Sequence, residues 1–143
     1  MTGSMTGPFP VPDPDSASFW AATAQRRLSL PRCGHCHRLH YPPPPRCPDC
    51  LRPLTEWRTL SGRGSLHSWT EVHAALVPGL PTPYLVAEVE LAEQPGLLLV
   101  SNLVDTEAPG LGEPVELTWS PPFPDGSRLP RFRRTRDPAT ATP

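Results

Sequence analysis

The sequence predicts a mainly β protein with three parts: a short N-terminal helix, a four-cysteine metal ribbon and a small five-stranded barrel. Three observations lead to this prediction. All four cysteines fall in two Cys-x2-Cys pairs, Cys33 with Cys36 and Cys47 with Cys50. From residue 57 onward, apolar residues alternate with polar ones, which is the period of half-buried strands. The chain also contains 23 prolines, and proline interrupts helices, which argues against a helical bundle.

The composition restricts the possible partners and compartments. A formal net charge of −1 gives no global attraction to nucleic acids or anionic membranes. All thirteen basic residues are arginines, so lysine Schiff-base chemistry is excluded. No apolar run approaches the ~20 residues of a membrane span, and the N-terminus lacks the layout of a secretory signal. We therefore expect a cytoplasmic protein without membrane contact, whose thiols stay available for metal.

The N-terminal part is expected to change from disorder to helix. Residues 1–14 are too poor in apolar groups to offset the entropy of ordering, which predicts a disordered tail. A helical segment is expected over residues 15–30, because Asp15 or Ser16 can cap a helix and apolar residues then recur at helical spacing. Its aromatic side chains, Phe19 and Trp20, either pack the helix onto its own domain or anchor a partner protein.

Residues 31–56 form the predicted ribbon, a rubredoxin-like zinc site. Each Cys-x2-Cys turn directs two thiolates the same way, and two facing turns supply the four sulfurs that Zn²⁺ prefers at about 2.3 Å. Cys33, Cys36, Cys47 and Cys50 would then leave no open coordination position, so the site would be structural. Disulfides or an iron centre are the alternatives.

Charged and imidazole side chains surround these cysteines in the sequence. The arginines are expected to offset the negative charge of the metal centre, with nucleic-acid contact as the alternative, and the histidines are expected at the surface. The residues concerned are Arg32, Arg38, Arg46, Arg52, His35, His37 and His40.

Residues 57–134 form the predicted barrel. Alternating or continuous apolar segments occur at residues 66–74, 85–91, 97–104 and 115–119, and glycine-containing turns separate them. About five short strands with glycine at the corners indicate a small closed barrel, and the five-stranded Greek-key OB-fold is the simplest closure. A small open sandwich is the alternative.

The end of the barrel interleaves apolar residues with arginines. Leu129 and Phe132 are expected to close the barrel or to contact a partner. The arginines are candidates for an anionic ligand such as a phosphate, with a solvated tail as the alternative. The candidate ligand-binding residues are Arg63, Arg128, Arg131 and Arg133. Residues 135–143 are expected to form a disordered tail.

The sequence contains no convincing catalytic combination. Strand alternation would place His67, Glu71 and His73 on one face and the neighbouring serines on the other, whereas a nucleophile and its base must lie within hydrogen-bond reach. Glu88 and Glu90 fall on the polar side of a strand, and every cysteine is committed to metal. We therefore expect a non-enzymatic protein.

The helix, ribbon and barrel, in this order, resemble the zinc-ribbon and OB-fold proteins known as DUF35. The resemblance runs from about residue 19 to residue 132. It is carried by Phe19-Trp20, the two Cys-x2-Cys turns, SGRGS at 61–65, SWT at 68–70, PYLVA at 83–87, SNLV at 101–104 and LPRF at 129–132. The resemblance implies association with thiolase-like, aldolase or hydratase-like enzymes of acyl-CoA and steroid side-chain metabolism, and acyl-CoA binding by the barrel.

The resulting hypothesis is a non-catalytic accessory subunit that binds a thiolase or retro-aldolase of the thiolase fold and helps to bind its acyl-CoA. The alternative is a single-stranded nucleic-acid-binding protein, because OB-folds and zinc ribbons both host that function. Trp69 and Tyr84 would then stack on bases. Glu71, Glu88 and Glu90 share or adjoin that surface and would repel phosphate, so nucleic acid is the less favoured partner.

Overall fold

The structure is a computed structural model and describes residues 10–135. The disordered tails predicted at residues 1–14 and 135–143 lie largely outside these residues. Within them the elements are α1 (Ala17–Thr23), β1 (Ser29–Arg32), β2 (Glu56–Thr59), β3 (Arg63–Val72), β4 (Tyr84–Leu91), β5 (Leu98–Leu103), β6 (Pro114–Trp119) and β7 (Pro130–Arg134). This confirms the predicted mainly β class with one short helix, a cysteine ribbon and a barrel.

Helix α1 is shorter than the predicted segment 15–30, and Ser16 does not provide the expected side-chain cap. Instead, Asp13 Oδ1 accepts from the Ser16 amide at 2.8 Å, and Ser16 Oγ accepts from the Asp13 amide at 3.1 Å. At its end Arg26 adopts a left-handed conformation, with φ of 56°. The Arg27 amide then bonds to the Ala22 carbonyl, as in a Schellman motif.

Strands β1 and β2 form a separate two-stranded antiparallel sheet between the helix and the barrel. β1 starts within the predicted helical segment, and β2 crosses the predicted boundary between ribbon and barrel at residues 56 and 57. Pro31 weakens the strand signal in the sequence. Its carbonyl still accepts from the His40 amide at 3.1 Å, so Pro31 takes part in pairing although it has no N–H of its own to donate.

The remaining five strands form a closed barrel in the order β3-β4-β5-β7-β6. All neighbours are antiparallel except β5 and β7, which meet in parallel at Leu103 and Phe132. β3 pairs with both β4 and β6 and thereby closes the barrel. Its approach to β4 requires glycine, because a Cβ at Gly64 would lie 2.5 Å from the Glu90 carbonyl oxygen. The OB-type barrel is confirmed, and the open sandwich is excluded.

One hydrophobic core joins the three parts of the chain. Phe19 from α1, Leu30 from β1, Leu39 from the ribbon and Phe132 from β7 belong to the same buried cluster. The ribbon and the barrel therefore present their surfaces in a defined relative orientation, because a shared core resists movement of one against the other.

The alternation predicted for residues 66–74 holds only at the start of β3. Leu66 is buried, whereas residues 67–71 are all exposed. A bulge between Leu66 and Ser68 interrupts the pairing with β4, and pairing with β6 ends at Ser65. Beyond Ser65 the strand has only β4 beside it, so side chains on both of its faces leave the core, and the bulge also shifts their phase relative to the start of the strand.

The described part of the chain contains no helix long and apolar enough to cross a membrane.

Candidate metal centre

The four cysteines come together at the end of the ribbon as predicted. Their sulfurs all lie within 4.8 Å of one another. The Sγ atoms of Cys33 and Cys50 are 3.5 Å apart, as are those of Cys36 and Cys47. Four sulfurs around one Zn²⁺ at about 2.3 Å would be separated by roughly 3.8 Å. The cage therefore fits a tetrahedral ion with little adjustment, and none of the four is in a disulfide.

Two backbone turns aim the sulfurs inward. The His37 amide bonds to the Cys33 carbonyl, and the Leu51 amide bonds to the Cys47 carbonyl, each at 2.8 Å. His37 and Leu51 both have φ of 64°. We call the turn around residues 33–38 the first knuckle and the turn around residues 47–52 the second knuckle. The Cys-x2-Cys spacing determines this local geometry, which explains why the ligands were predictable.

Crowded sulfurs favour a bound cation. The amides of Cys36 and His35 point at the Cys33 sulfur and lower the pKa of Cys33 to about 6. The Arg38 amide favours the thiolate of Cys36, but burial and the thiols of Cys47 and Cys33 raise the pKa of Cys36 to about 11. Without a cation, a thiolate at Cys33 thus opposes ionisation of its neighbour. A divalent ion removes this opposition, so the donor set fits a structural zinc.

One residue near the metal centre was misjudged from the sequence. His35 and His37 are exposed as expected, but His40 is half-buried and its Nε2 lies 3.5 Å from the Cys47 sulfur. Hydrogen bonds to ligand sulfurs orient and tune a metal site. The contact joins the two knuckles across seven residues, and no sequence spacing indicates it.

The first knuckle is fastened to the barrel by Gln94, a residue that the sequence did not single out. The Leu39 amide donates to Gln94 Oε1 at 2.8 Å, and Gln94 Nε2 donates to the Leu39 carbonyl at 3.0 Å. The two residues are 55 positions apart in the chain. The pair acts like one rung of a β-ladder between the ribbon and the turn after β4.

The four arginines predicted to bind a ligand do not form one cluster. Arg133 Nε donates to Glu116 at 3.0 Å, and Arg63 lies opposite the same Glu116 on the neighbouring strand. Arg128 donates to the Ser120 carbonyl at 3.1 Å. Arg131 lies at the mouth of the barrel, where burial lowers its pKa. Their role in ligand binding stays a prediction.

The four residues predicted to contact a partner divide into two groups. Phe19 and Phe132 are 2% and 0% exposed: they pack the protein's own core, which is the other role expected for them above. Trp20 and Leu129 are half-buried and line one cleft of about 190 Å³ with Phe19 and Tyr41. Trp20 and Leu129 therefore remain candidates for partner contact.

A larger cleft of about 540 Å³ lies at the mouth of the barrel. Trp69 and Tyr84, proposed above as base-stacking residues, both line it. The remaining charged residues of its wall are Glu71, Asp105, Glu107 and Arg131. Three carboxylates beside one guanidinium repel phosphate groups, which disfavours a nucleic-acid backbone at this position.

Models of known families match the two parts of the chain. The model described as "ChsH2, rubredoxin-like zinc ribbon domain" matches residues 20–56, and the one described as "ChsH2, C-terminal OB-fold domain" matches residues 57–120. These matches follow each other directly in the chain, as the ribbon and barrel do.

The curated proteins that are similar in sequence include two hydratase alpha subunits. A probable enoyl-CoA hydratase alpha subunit of Thermomonospora curvata is 40% identical over 131 residues, covering 88% of this chain and 39% of the relative. The 3-oxo-4,17-pregnadiene-20-carboxyl-CoA hydratase alpha subunit of Mycobacterium tuberculosis is 33% identical, covering 79% of this chain and 36% of the relative. The chain thus spans less than two fifths of the length of each.

Two solved structures are similar in fold. A chain of the structure described as "Ltp2-ChsH2(DUF35) aldolase" has a TM-score of 0.80 and 37% identity, covering 88% of this chain and 98% of that one. A DUF35 protein of unknown function from Sulfolobus solfataricus has a TM-score of 0.62 and 16% identity, covering 85% of this chain and 86% of its own, which shows the shared fold alone. With its zinc ribbon, its OB-fold barrel and its match to nearly the whole ChsH2-type chain, this protein belongs to the DUF35 family.

Proposed function

We propose that the protein is a non-catalytic accessory subunit that binds a thiolase-fold enzyme, a thiolase or retro-aldolase, of acyl-CoA, lipid or steroid side-chain metabolism. A hydratase-like protein is the other partner class that the relatives support. We propose further that the chain helps to hold the acyl-CoA substrate of its partner.

The observation that carries this proposal is the similarity to the chain from the Ltp2-ChsH2(DUF35) aldolase. This chain covers 98% of that one at 37% identity, so the similarity includes the ribbon as well as the barrel. The two curated relatives are named as alpha subunits of CoA-ester hydratases. The two hydratase names describe a subunit within an enzyme that acts on CoA esters, and the name of the solved structure describes an aldolase that contains a DUF35 chain.

The chemistry of the metal centre supports an accessory role. Four thiolates satisfy a tetrahedral zinc ion completely, whereas a catalytic zinc keeps a position for water or substrate. On β3 the His67 ring contacts Glu88 at 2.7 Å, and within residues 10–135 no hydrogen bond joins the side chain of this histidine to a serine or cysteine nucleophile. The structure thus supports binding functions better than a self-contained active site.

Co-purification tests the partner. The tagged, zinc-loaded full chain is expressed with the Ltp2 subunit of the solved aldolase and, in parallel, with a hydratase-fold subunit. We expect a stable complex with one of them in size-exclusion chromatography. Failure to bind either, combined with catalytic activity of the chain alone, would contradict the accessory role.

Calorimetric titration tests the coenzyme A part of the proposal. Arg63→Ala and Arg133→Ala are expected to weaken binding of an acyl-CoA to the complex at least several-fold, because each removes a cation that can pair with phosphate. Arg58→Ala is the control, since Arg58 is exposed in β2 and pairs with Glu56 at 3.2 Å. Unchanged affinity in both test variants would place the ligand elsewhere.

A further inference from the structure

The two knuckles repeat the same backbone at an offset of fourteen residues. The Cys33 amide bonds to the Arg38 carbonyl at 2.9 Å, and the Cys47 amide bonds to the Arg52 carbonyl at the same distance. A bridge closes each turn, between residues 32 and 39 in the first and residues 46 and 53 in the second. The equivalent pairs are Arg32 and Arg46, His37 and Leu51, Arg38 and Arg52, and Leu39 and Pro53. Any difference between the knuckles therefore lies in their side chains and surroundings.

The first knuckle is satisfied within the chain. Leu39 is 8% exposed and is held by Gln94 of the barrel. Arg32 pairs with Glu56 at 3.4 Å. Arg38 pairs with an acid of the other knuckle, Asp49, at 3.6 Å. The apolar and charged groups of this knuckle all have partners in the structure.

The equivalent positions of the second knuckle lack such partners. Leu51 is 69% exposed, and Pro53, the equivalent of buried Leu39, is exposed. Neither Arg46 nor Arg52 has a carboxylate within 4.0 Å among residues 10–135. Arg46 instead donates to the Leu51 carbonyl at 3.3 Å, which orders the arginine beside the exposed leucine.

Leucine is energetically unfavourable at position 51, for its backbone conformation and for its exposed side chain. Its φ of 64° is a conformation that glycine and asparagine adopt much more readily than leucine. The side chain also gains little from burial, because it faces solvent. The equivalent position of the first knuckle carries the same φ with a polar histidine. A residue that is unfavourable for both backbone and solvation points to a function outside the chain.

We infer that the tip of the second knuckle, formed by Leu51 and flanked by Arg46 and Arg52, docks into a partner subunit. The matching surface is an apolar socket bordered by carboxylates, because the socket buries leucine while the carboxylates pair with the two arginines. A phosphate ligand fits less well, since leucine offers it no hydrogen bond. The metal makes the tip rigid, so docking would order little additional chain. This inference rests on the proposed function.

The test compares equivalent substitutions in the two knuckles. Leu51→Asn removes the apolar side chain and suits the left-handed backbone, and His37→Asn makes the same change where we place no partner. Each zinc-loaded full-length variant is titrated against the Ltp2 subunit of the solved aldolase, and its unfolding midpoint is measured alone. We expect Leu51→Asn to weaken binding at least tenfold with an unchanged or raised midpoint. His37→Asn should bind like wild type.

Four results would overturn this inference. Wild-type affinity in Leu51→Asn would leave the proposed function standing and remove the docking role of the tip. A midpoint lowered by several degrees would make Leu51 a structural residue. Loss of acyl-CoA affinity in Arg46→Ala and Arg52→Ala, with partner binding intact, would make the second knuckle a phosphate site. If wild type binds no such subunit, the proposed function fails and this inference fails with it.

Discussion

Cys33 and Cys47 are buried while Cys36 and Cys50 are half-buried, so each knuckle supplies one inner and one outer ligand. Both ligands of a knuckle are held by its own short turn. Individual residues can therefore be tested here with little disturbance to the barrel. The same holds for the aromatic pair of α1, in which neighbouring residues face opposite environments.

Replacement of one cysteine should unfold the ribbon. Cys36→Ser removes a thiolate ligand, and structural zinc contributes about 10 kcal/mol or more to the folding of such units. We expect the variant to lose stoichiometric zinc, measured by atomic emission, and to be insoluble or unable to bind a partner. His35→Ser, in the same knuckle, should keep both properties. A folded, metal-free Cys36→Ser that still binds the partner would contradict a structural role for the metal.

The adjacent aromatic residues of α1 should separate stability from binding. Phe19 is 2% exposed and packs edge-on against Trp20, with ring centroids 4.9 Å apart. Phe19→Ala should cost about 3–5 kcal/mol of unfolding free energy, as large core deletions do. Trp20→Ala should cost less and mainly weaken partner binding. Denaturant unfolding measures the loss of stability, and the partner titration described above measures the loss of binding. Equal losses of stability in Phe19→Ala and Trp20→Ala would contradict the prediction.

At the scale of the elements, an ion pair connects the end of β7 to the residue that precedes β6. Arg134 donates to both carboxylate oxygens of Glu113, at 2.7 and 3.1 Å, and the Gly110 amide adds a third bond. The hydrogen bond from Arg134, followed by that from Gly110, lowers the pKa of Glu113. Such a two-pronged contact orders the strand ends, although solvent screens it.

This ion pair makes a small part of the stability depend on pH. Because the pKa of Glu113 is lower in the folded protein, its contribution is present above the unfolded pKa of about 4.3 and is lost as the pH falls through the folded pKa. Glu113→Gln should therefore lower the unfolding midpoint slightly at pH 7 and converge on wild type in acid. Thermal unfolding between pH 7 and pH 3 measures this. If the difference in unfolding midpoint between Glu113→Gln and wild type grew as the pH fell, the result would contradict this prediction.

At the scale of the whole molecule, the Gln94–Leu39 pair and the shared core set the position of the ribbon on the barrel. The amide side chain both accepts and donates a bond. A carboxylate of the same shape could accept one bond but not donate the other. The pair therefore gives a way to loosen the assembly without altering either part.

Gln94→Glu should destabilise the protein while keeping the metal. Loss of the donor leaves the Leu39 carbonyl facing a negative charge, which we expect to cost about 1–3 kcal/mol. Zinc content should stay at one per chain, because no ligand changes. Exposed Gln25→Glu is the matched control and should behave like wild type. Loss of zinc in Gln94→Glu would mean that the ribbon cannot fold without its hydrogen bonds to the barrel.

The sequence alone was sufficient for features that depend on near neighbours in the chain. The ligands Cys33, Cys36, Cys47 and Cys50 follow from tight-turn spacing, and the barrel strands from alternation over a few residues. The end of α1 escaped prediction because Arg26 occupies a position where glycine is the usual signal.

Only the tertiary structure decided which of these residues meet. In it Phe19 is buried in the core, Trp20 lines the smaller cleft, and Arg133 pairs with the carboxylate of Glu116. It also distinguished two knuckles that share one backbone, because the first is hydrogen-bonded to Gln94 of the barrel whereas Leu51 of the second is exposed. Such contacts join residues far apart in the chain, and their free energies depend on burial and distance, which local sequence patterns do not encode.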